Sequence, residues 1–161
     1  MERGLADYET TGATLRSPYF LALLADQLGK VGRVKEGLLA ISKALNLAAR
    51  TGEGYALPEL HRIKGELLMR SGDLYYSAND PLRFVALSQA RVCFDEAFLV
   101  AQQNGARSLA LKAALSMHRL DLMLGNPQYT RLAEVYSSFS EGLETADLRQ
   151  ARALLEIASR E

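Results

Sequence analysis

The stretch from Pro18 to Thr51 restricts the fold of this chain more than any other segment. Its apolar residues recur every three or four positions on both sides of a break at Gly32-Arg33, which is the spacing of amphipathic helices. One apolar stripe precedes the break and another follows it: Leu21, Leu24, Ala25 and Leu28, then Leu38, Ile41, Ala44 and Leu45. The sequence therefore predicts two antiparallel helices joined by a tight turn.

Small side chains occupy four regular positions of this hairpin. Counted from Pro18, Ala25 is the eighth residue, Gly32 the fifteenth, Gly37 the twentieth and Ala44 the twenty-seventh. Two helices approach to about 8–10 Å only where small side chains lie at the crossing. The segment is 34 residues long, and with these positions it resembles a tetratricopeptide repeat. The resemblance implies an all-α, right-handed superhelix of about seven to eight antiparallel helices.

The rest of the chain divides into related units, and we expect one domain over residues 1–161. Helix-ending glycines and the apolar period set the boundaries. The units are a helix left from a preceding repeat (1–14), a first complete repeat (17–52), a second repeat (56–105), a degenerate third repeat (108–139) and a capping helix (145–160). A terminal helix of this kind shields the last apolar face of a repeat array.

Two helix starts are marked by local sequence. Ser17 before Pro18 predicts an N-cap followed by proline in the first turn. The second repeat is longer than the repeat pattern between its two helices, which predicts an insertion at 73–81 rich in turn-forming residues. Asp80-Pro81 at the end of the insertion would cap the next helix.

Composition argues against several classes of function. The chain has 19 basic and 19 acidic residues, so it lacks the basic excess of a broad nucleic-acid or acidic-membrane surface. Its single cysteine, Cys93, lies in an apolar helical pattern and is expected to be buried and inert. No secretory leader follows Met1, and the longest apolar run, Tyr19 to Ala25, is too short to span a bilayer. We therefore expect a cytoplasmic protein that acts without nucleic acid or membrane.

No residue pattern points to catalysis, a cofactor or a metal. The sequence has no phosphate-binding glycine loop, no H-E-x-x-H and no cysteine pair. His61 lies two and five residues from Glu59 and Glu66, on a different helical face. His118 and Asp121 are three apart, and the favoured interpretation is a surface pair or a packing substitution. We predict a protein that is not an enzyme.

Several longer phrases go beyond the generic repeat. They are Gly4–Tyr8, Pro18–Ala25, Leu60–Leu68, Gly105–Leu109 and Thr145–Leu148. Together they resemble the C-terminal tetratricopeptide region of large bacterial signalling proteins. Those proteins carry an adenylate or guanylate cyclase domain, or a DNA-binding domain, and then an ATPase module. The resemblance implies a non-catalytic region that binds partner proteins or other domains of its parent chain.

The resemblance also implies where a partner would bind. In tetratricopeptide arrays the first helix of each repeat lines a concave groove with its second, fifth, ninth and twelfth residues. Carried onto this chain, these positions are Tyr19, Ala22, Asp26 and Gly29 in the first repeat, Glu59, Arg62, Glu66 and Met69 in the second, and Lys112, Leu115, Arg119 and Leu122 in the third. This mixed-sign surface suits an extended peptide or a helix.

Two alternatives to a peptide-binding groove remain open at the level of sequence. One is a sensor that holds a small effector near Arg62 and Arg119. The other is self-association into a homodimer through the exposed repeat ends, near Leu5 and Tyr8 or near Leu154 and Leu155.

Overall fold

The chain is all-α, as the sequence predicts, in a computed structural model that describes residues 16–159. Its helices are α1 (Ser17–Lys30), α2 (Val34–Thr51), α3 (Leu57–Tyr75), α4 (Pro81–Gln103), α5 (Arg107–Met123), α6 (Thr130–Ser137) and α7 (Ala146–Ala158), with a 3₁₀ turn at Gly54–Ala56. The helix predicted at residues 1–14 lies outside the described residues. Between residues 16 and 159, no helix combines the length and apolar character needed to cross a membrane.

The first helix starts differently from the prediction. Ser17 is the first residue of α1, and its N-cap is Arg16, with φ 64°. The reason is that the Arg16 carbonyl already accepts the helical hydrogen bond from the Phe20 amide (3.1 Å), while the Arg16 amide donates to the carboxylate of Glu53 (3.1 Å). The predicted Ser17 cap is therefore wrong, although Pro18 does lie in the first turn.

The predicted cap at Asp80 is confirmed. Its carboxylate accepts a hydrogen bond from the Leu82 amide (2.8 Å), and α4 begins at Pro81. Helix α3 continues through Tyr75 into the stretch predicted as an insertion, so residues 76–80 alone form the non-helical connection. Most of this extra length therefore lies in longer helices.

The small residues of the first hairpin lie at the α1–α2 contact, as predicted. Ala25 and Ala44 are fully buried, and Gly37 is buried between them in sequence. A side-chain carbon at Gly37 would lie 3.0 Å from the Ala25 carbonyl oxygen. Close approach of the two helices therefore requires glycine at this position. Gly32 adopts φ 80°, a conformation that favours glycine in the turn.

The helices form a layered array. Each helix packs against the next along the chain, and each odd-numbered helix also contacts the next odd-numbered one: α1 with α3, α3 with α5, and α5 with α7. Within residues 16–159, the even-numbered helices make no such extended contact with one another. The odd-numbered helices thus form a continuous layer.

Helix α3 divides the interior into two apolar cores. Leu60, Ile63 and Leu67 of α3 pack with α1 and α2 in the first core. Met69 joins the second, which α4, α5, α6 and α7 complete. Cys93 is 7% exposed, and burial raises the pKa of its thiol, in agreement with the prediction of an inert cysteine. Because α3 serves both cores, it couples the two halves of the array.

Replacing Gly52 with alanine is expected to cost about 1–2 kcal/mol of unfolding free energy. Gly52 ends α2 with φ 72°, and no atom would crowd an added side-chain carbon, so the cost is backbone strain alone. Gly54→Ala is the matched control, because that site is equally open and has no positive φ. Urea unfolding compares the two variants, and equal losses would contradict the explanation.

Candidate functional site

Six of the twelve groove candidates lie together on the odd-numbered layer. They form, with one further residue, what we call the groove network: Asp26 of α1, Glu59, Arg62 and Glu66 of α3, and Lys112, Ser116 and Arg119 of α5. Three helices separated in sequence thus contribute to a single polar cluster. This agrees with the prediction that these positions share one face of the array.

Arg62 is the centre of the groove network. Its guanidinium donates to both carboxylate oxygens of Glu59, at 2.8 and 2.7 Å, and lies 3.6 Å from an oxygen of Glu66. The spacings of three and four residues place both glutamates beside Arg62 on one helical face. All three side chains are 12–20% exposed, so water screens these ion pairs only weakly.

Glu66 links the α3 part of the groove network to α5. The same carboxylate oxygen that faces Arg62 forms an ion pair with Arg119 and accepts a hydrogen bond from the Ser116 hydroxyl at 2.7 Å. Arg119 also lies 3.1 Å from the Ser116 oxygen. The network therefore fixes the facing surfaces of α3 and α5 relative to each other.

Glu59 and Arg62 keep their charges at neutral pH. Burial would raise the pKa of Glu59, but hydrogen bonds and charge from Arg62, together with Lys112, outweigh burial and lower it. Burial likewise opposes the charged form of Arg62, and Glu59, Glu66 and Asp26 offset that effect and raise its pKa. Ionised carboxylates and protonated guanidinium groups thus stabilise one another.

The rim of the groove offers exposed side chains of several kinds. Tyr19 is 41% exposed at the start of α1, and Leu122 is 50% exposed near the end of α5. The Arg119 side chain is 47% exposed, although one of its nitrogens faces Glu66. Lys112 contributes charge toward Glu59 without an ion pair at contact distance among the described residues. This surface therefore carries aromatic, apolar and cationic groups around a neutralised centre.

Four groove candidates do not reach this surface. Ala22, Gly29, Met69 and Leu115 are buried in the helix packing. Met69 belongs to the second core because α4 and α5 both cover the second half of α3. These residues support the groove as packing contacts and cannot contact a partner directly.

Ser116 is the network residue that the sequence analysis missed. Counted from Ser108, the second, fifth, ninth and twelfth residues are Leu109, Lys112, Ser116 and Arg119. The prediction was counted from Leu111, so it took Leu115, which is 4% exposed, and missed Ser116. The structure therefore favours a register in α5 that starts three residues earlier.

Neither histidine takes part in a charged cluster of the groove. His61 is near Glu96 and Lys64, and burial lowers its pKa. His118 is 1% exposed and bonds through Nδ1 to the Gln128 carbonyl (3.1 Å). Asp121 pairs instead with Arg91, so the surface pair of His118 and Asp121 is wrong, whereas the burial of His118 agrees with the alternative of a packing substitution. The reason is that α6 and the segment before it cover this part of α5. Over residues 16–159, no three histidine, cysteine, aspartate or glutamate side chains converge as metal ligands.

Comparison with known proteins finds a distant relative. An uncharacterized protein of Rhizobium meliloti (strain 1021) is 28% identical over 124 residues, which cover 77% of this chain and 11% of that protein. The chain thus spans about a tenth of the length of its curated relative. No family model matches the chain. No solved structure matches it either.

Proposed function

We propose that this chain is a non-catalytic protein–protein interaction module of a multidomain bacterial signalling protein, which works in the cytoplasm. In this proposal the helices form a tetratricopeptide-like right-handed superhelix, and α1, α3 and α5 line its concave groove. The parent protein would carry a cyclase or DNA-binding output domain and an ATPase module outside this chain. The bound partner is an extended peptide or helix of another protein or of the same parent.

The packing of the odd-numbered helices supports a concave groove. In an array of helical hairpins, the layer whose helices touch one another is on the inner side of the curve, and the layer whose helices are spread apart is on the outer side. Here α1, α3 and α5 touch in succession, while the described even-numbered helices do not. The groove network lies on that inner layer, and this observation carries the proposal.

The length of the relative supports a multidomain parent. Because 124 residues amount to 11% of the Rhizobium meliloti protein, that protein is about 1,100 residues long. A chain of that size holds several domains.

A non-catalytic role rests on the mutual neutralisation of the groove charges. Glu59 holds Arg62, and Arg119 and Ser116 hold Glu66, which suits a rigid docking surface better than a reactive centre.

The test is partner capture with paired variants of the natural parent protein. Lys112→Glu combined with Tyr19→Ala changes the rim of the groove, and Lys35→Glu combined with Leu39→Ala makes the same two kinds of change on α2. We expect a specific partner to be captured by the wild type and the α2 variant, with about a tenfold loss for the groove variant.

Two results would contradict this proposal. The α2 variant could lose the partner as fully as the groove variant does. Alternatively, the purified parent could keep all its interactions when both groove positions are changed.

A further inference from the structure

A second polar site lies away from the groove, in a cleft between α4, α5 and α6. The cleft has a volume of about 480 Å³, which is within the range of small-molecule sites. Its polar walls come from Arg91 and Asp95 of α4, His118 and Asp121 of α5, and Thr130 and Arg131 of α6. The groove network contributes no residue to it. The cleft therefore has to be explained separately from partner docking.

The inner wall of the cleft carries a buried carboxylate. Asp121 is 4% exposed and forms an ion pair with Arg91, whose side chain is 32% exposed. Burying a carboxylate is costly unless charged or hydrogen-bonding groups surround it. Arg91 supplies one such group from one side of the cleft.

The neighbouring imidazole leaves a polar atom without a partner. His118 lines the same cleft and is 1% exposed. Its Nδ1 donates to the Gln128 carbonyl, so in the neutral tautomer Nε2 carries a lone pair. Within residues 16–159, Nε2 is the one buried side-chain nitrogen or oxygen that has no hydrogen-bond partner. An acceptor left unpaired in this way is available to a donor from a bound molecule.

The α6 side of the cleft offers hydrogen-bond donors for an anion, beside the acidic Glu134 that also lines it. The first turn of α6 lines it through Thr130, Arg131 and Leu132, and amides in a first helical turn lack acceptors within their own helix. The Arg131 side chain is half exposed and pairs with Asp95 through one nitrogen, Nη1. Its guanidinium is 5.4 Å from the centre of the Phe98 ring, which helps to hold it at the cleft.

We infer that the cleft binds a free α-amino acid with an apolar side chain. The ammonium group of the ligand donates to His118 Nε2 and to the Asp121 carboxylate. Its carboxylate meets Arg131 and the first-turn amides of α6. The side chain lies against the apolar part of the wall, which Ala114, Met117 and Leu132 supply. A zwitterion matches a cleft with a buried acceptor at one side and donors at the other.

The experiment is a titration of the chain with L-leucine and L-methionine, followed by NMR of the histidine side-chain nitrogens. The protein has two histidines, so a His61→Gln sample assigns the His118 signals directly. We expect a saturable shift of His118 Nε2. Two half-ligands serve as probes of the ionic groups: 4-methylpentanoate lacks the ammonium and isoamylamine lacks the carboxylate. Each should bind at least about tenfold more weakly than leucine.

Variants test the carboxylate side of the cleft. Arg131→Gln should weaken leucine binding by about tenfold and leave the unfolding midpoint nearly unchanged, because its ion pair with Asp95 is half exposed. Arg149→Gln, at an exposed arginine of α7, is the control and should bind as the wild type does. The inference is overturned if neither amino acid shifts His118, if both half-ligands bind as well as leucine, or if Arg131→Gln binds with wild-type affinity.

Discussion

Gly65→Val is expected to destabilise the domain by about 3 kcal/mol. A side-chain carbon at Gly65 would lie 2.7 Å from Cδ1 and 2.9 Å from Cζ of Phe94, whereas ordinary carbon contacts begin near 3.5 Å. Phe94 is fully buried in the second core, so its ring cannot move aside without disturbing its neighbours. The loss should appear as a lower midpoint in urea unfolding, with the slope unchanged.

A second glycine of α3 supplies the matched control. At Gly72 the closest atom to an added carbon would be a Leu87 methyl carbon at 3.4 Å, an ordinary contact. Gly72→Ala should therefore be neutral or stabilise by up to about 1 kcal/mol through helix propensity. Phe94→Leu should recover part of the Gly65→Val loss, since the two sites touch. Additive effects of those two changes would contradict the close contact.

Arg62→Met is expected to cost about 3–5 kcal/mol at neutral pH. The change removes the guanidinium that the carboxylates of Glu59 and Glu66 share. The loss is costly because these side chains are only 20% and 12% exposed. Arg33→Met is the control, because Arg33 holds Glu36 with similar geometry, at 2.7 and 2.6 Å, but on an exposed face. That variant should change stability little.

The cost of Arg62→Met should shrink as the pH falls. In the wild type the pKa of Glu59 is below its ordinary value of 4.5, so the stability that it contributes is present above that pH and is lost as the pH falls through the folded-state pKa. Without Arg62, only Lys112 opposes burial and the negative charge of Asp26, so the protonated carboxyl is favoured more than in the wild type. Urea unfolding at neutral pH and near pH 4 should show that the unfolding free energies of the wild type and Arg62→Met come closer together at the lower pH. A gap between the two free energies that stays constant or widens toward acid would contradict this explanation.

The all-α class and the first hairpin follow from local rules: the helical period sets which residues share a face, and steric limits place small residues at crossings. The groove face, with Arg62, Glu66 and Arg119 together, came from the resemblance to a tetratricopeptide repeat. Register was the weak point, because the groove positions of α5 were counted from Leu111 rather than from Ser108, which took Leu115 and missed Ser116. Local patterns locate a helical face well but a single position less well.

The cleft could not be predicted from the sequence. It depends on residues from Arg91 to Arg131, and they meet only because α4, α5 and α6 pack together. The sequence offered His118 and Asp121 three apart, which suggested a pair. In the structure each turns to a partner far along the chain, Gln128 in one case and Arg91 in the other. Long-range packing, not spacing, decides what these side chains do.

The central claim is that the face formed by α1, α3 and α5 binds a partner. The most direct measurement is site-specific photocrosslinking in the intact parent protein, in the cells that produce it. A photoreactive residue would replace Tyr19, Lys112 or Leu122 on the groove rim, or Leu39, which is 73% exposed on α2, as the control. We expect all three rim positions to crosslink to the same protein, or to the same domain of the parent, and Leu39 not to crosslink. Crosslinks from Leu39 to that partner, or none from the rim, would contradict it.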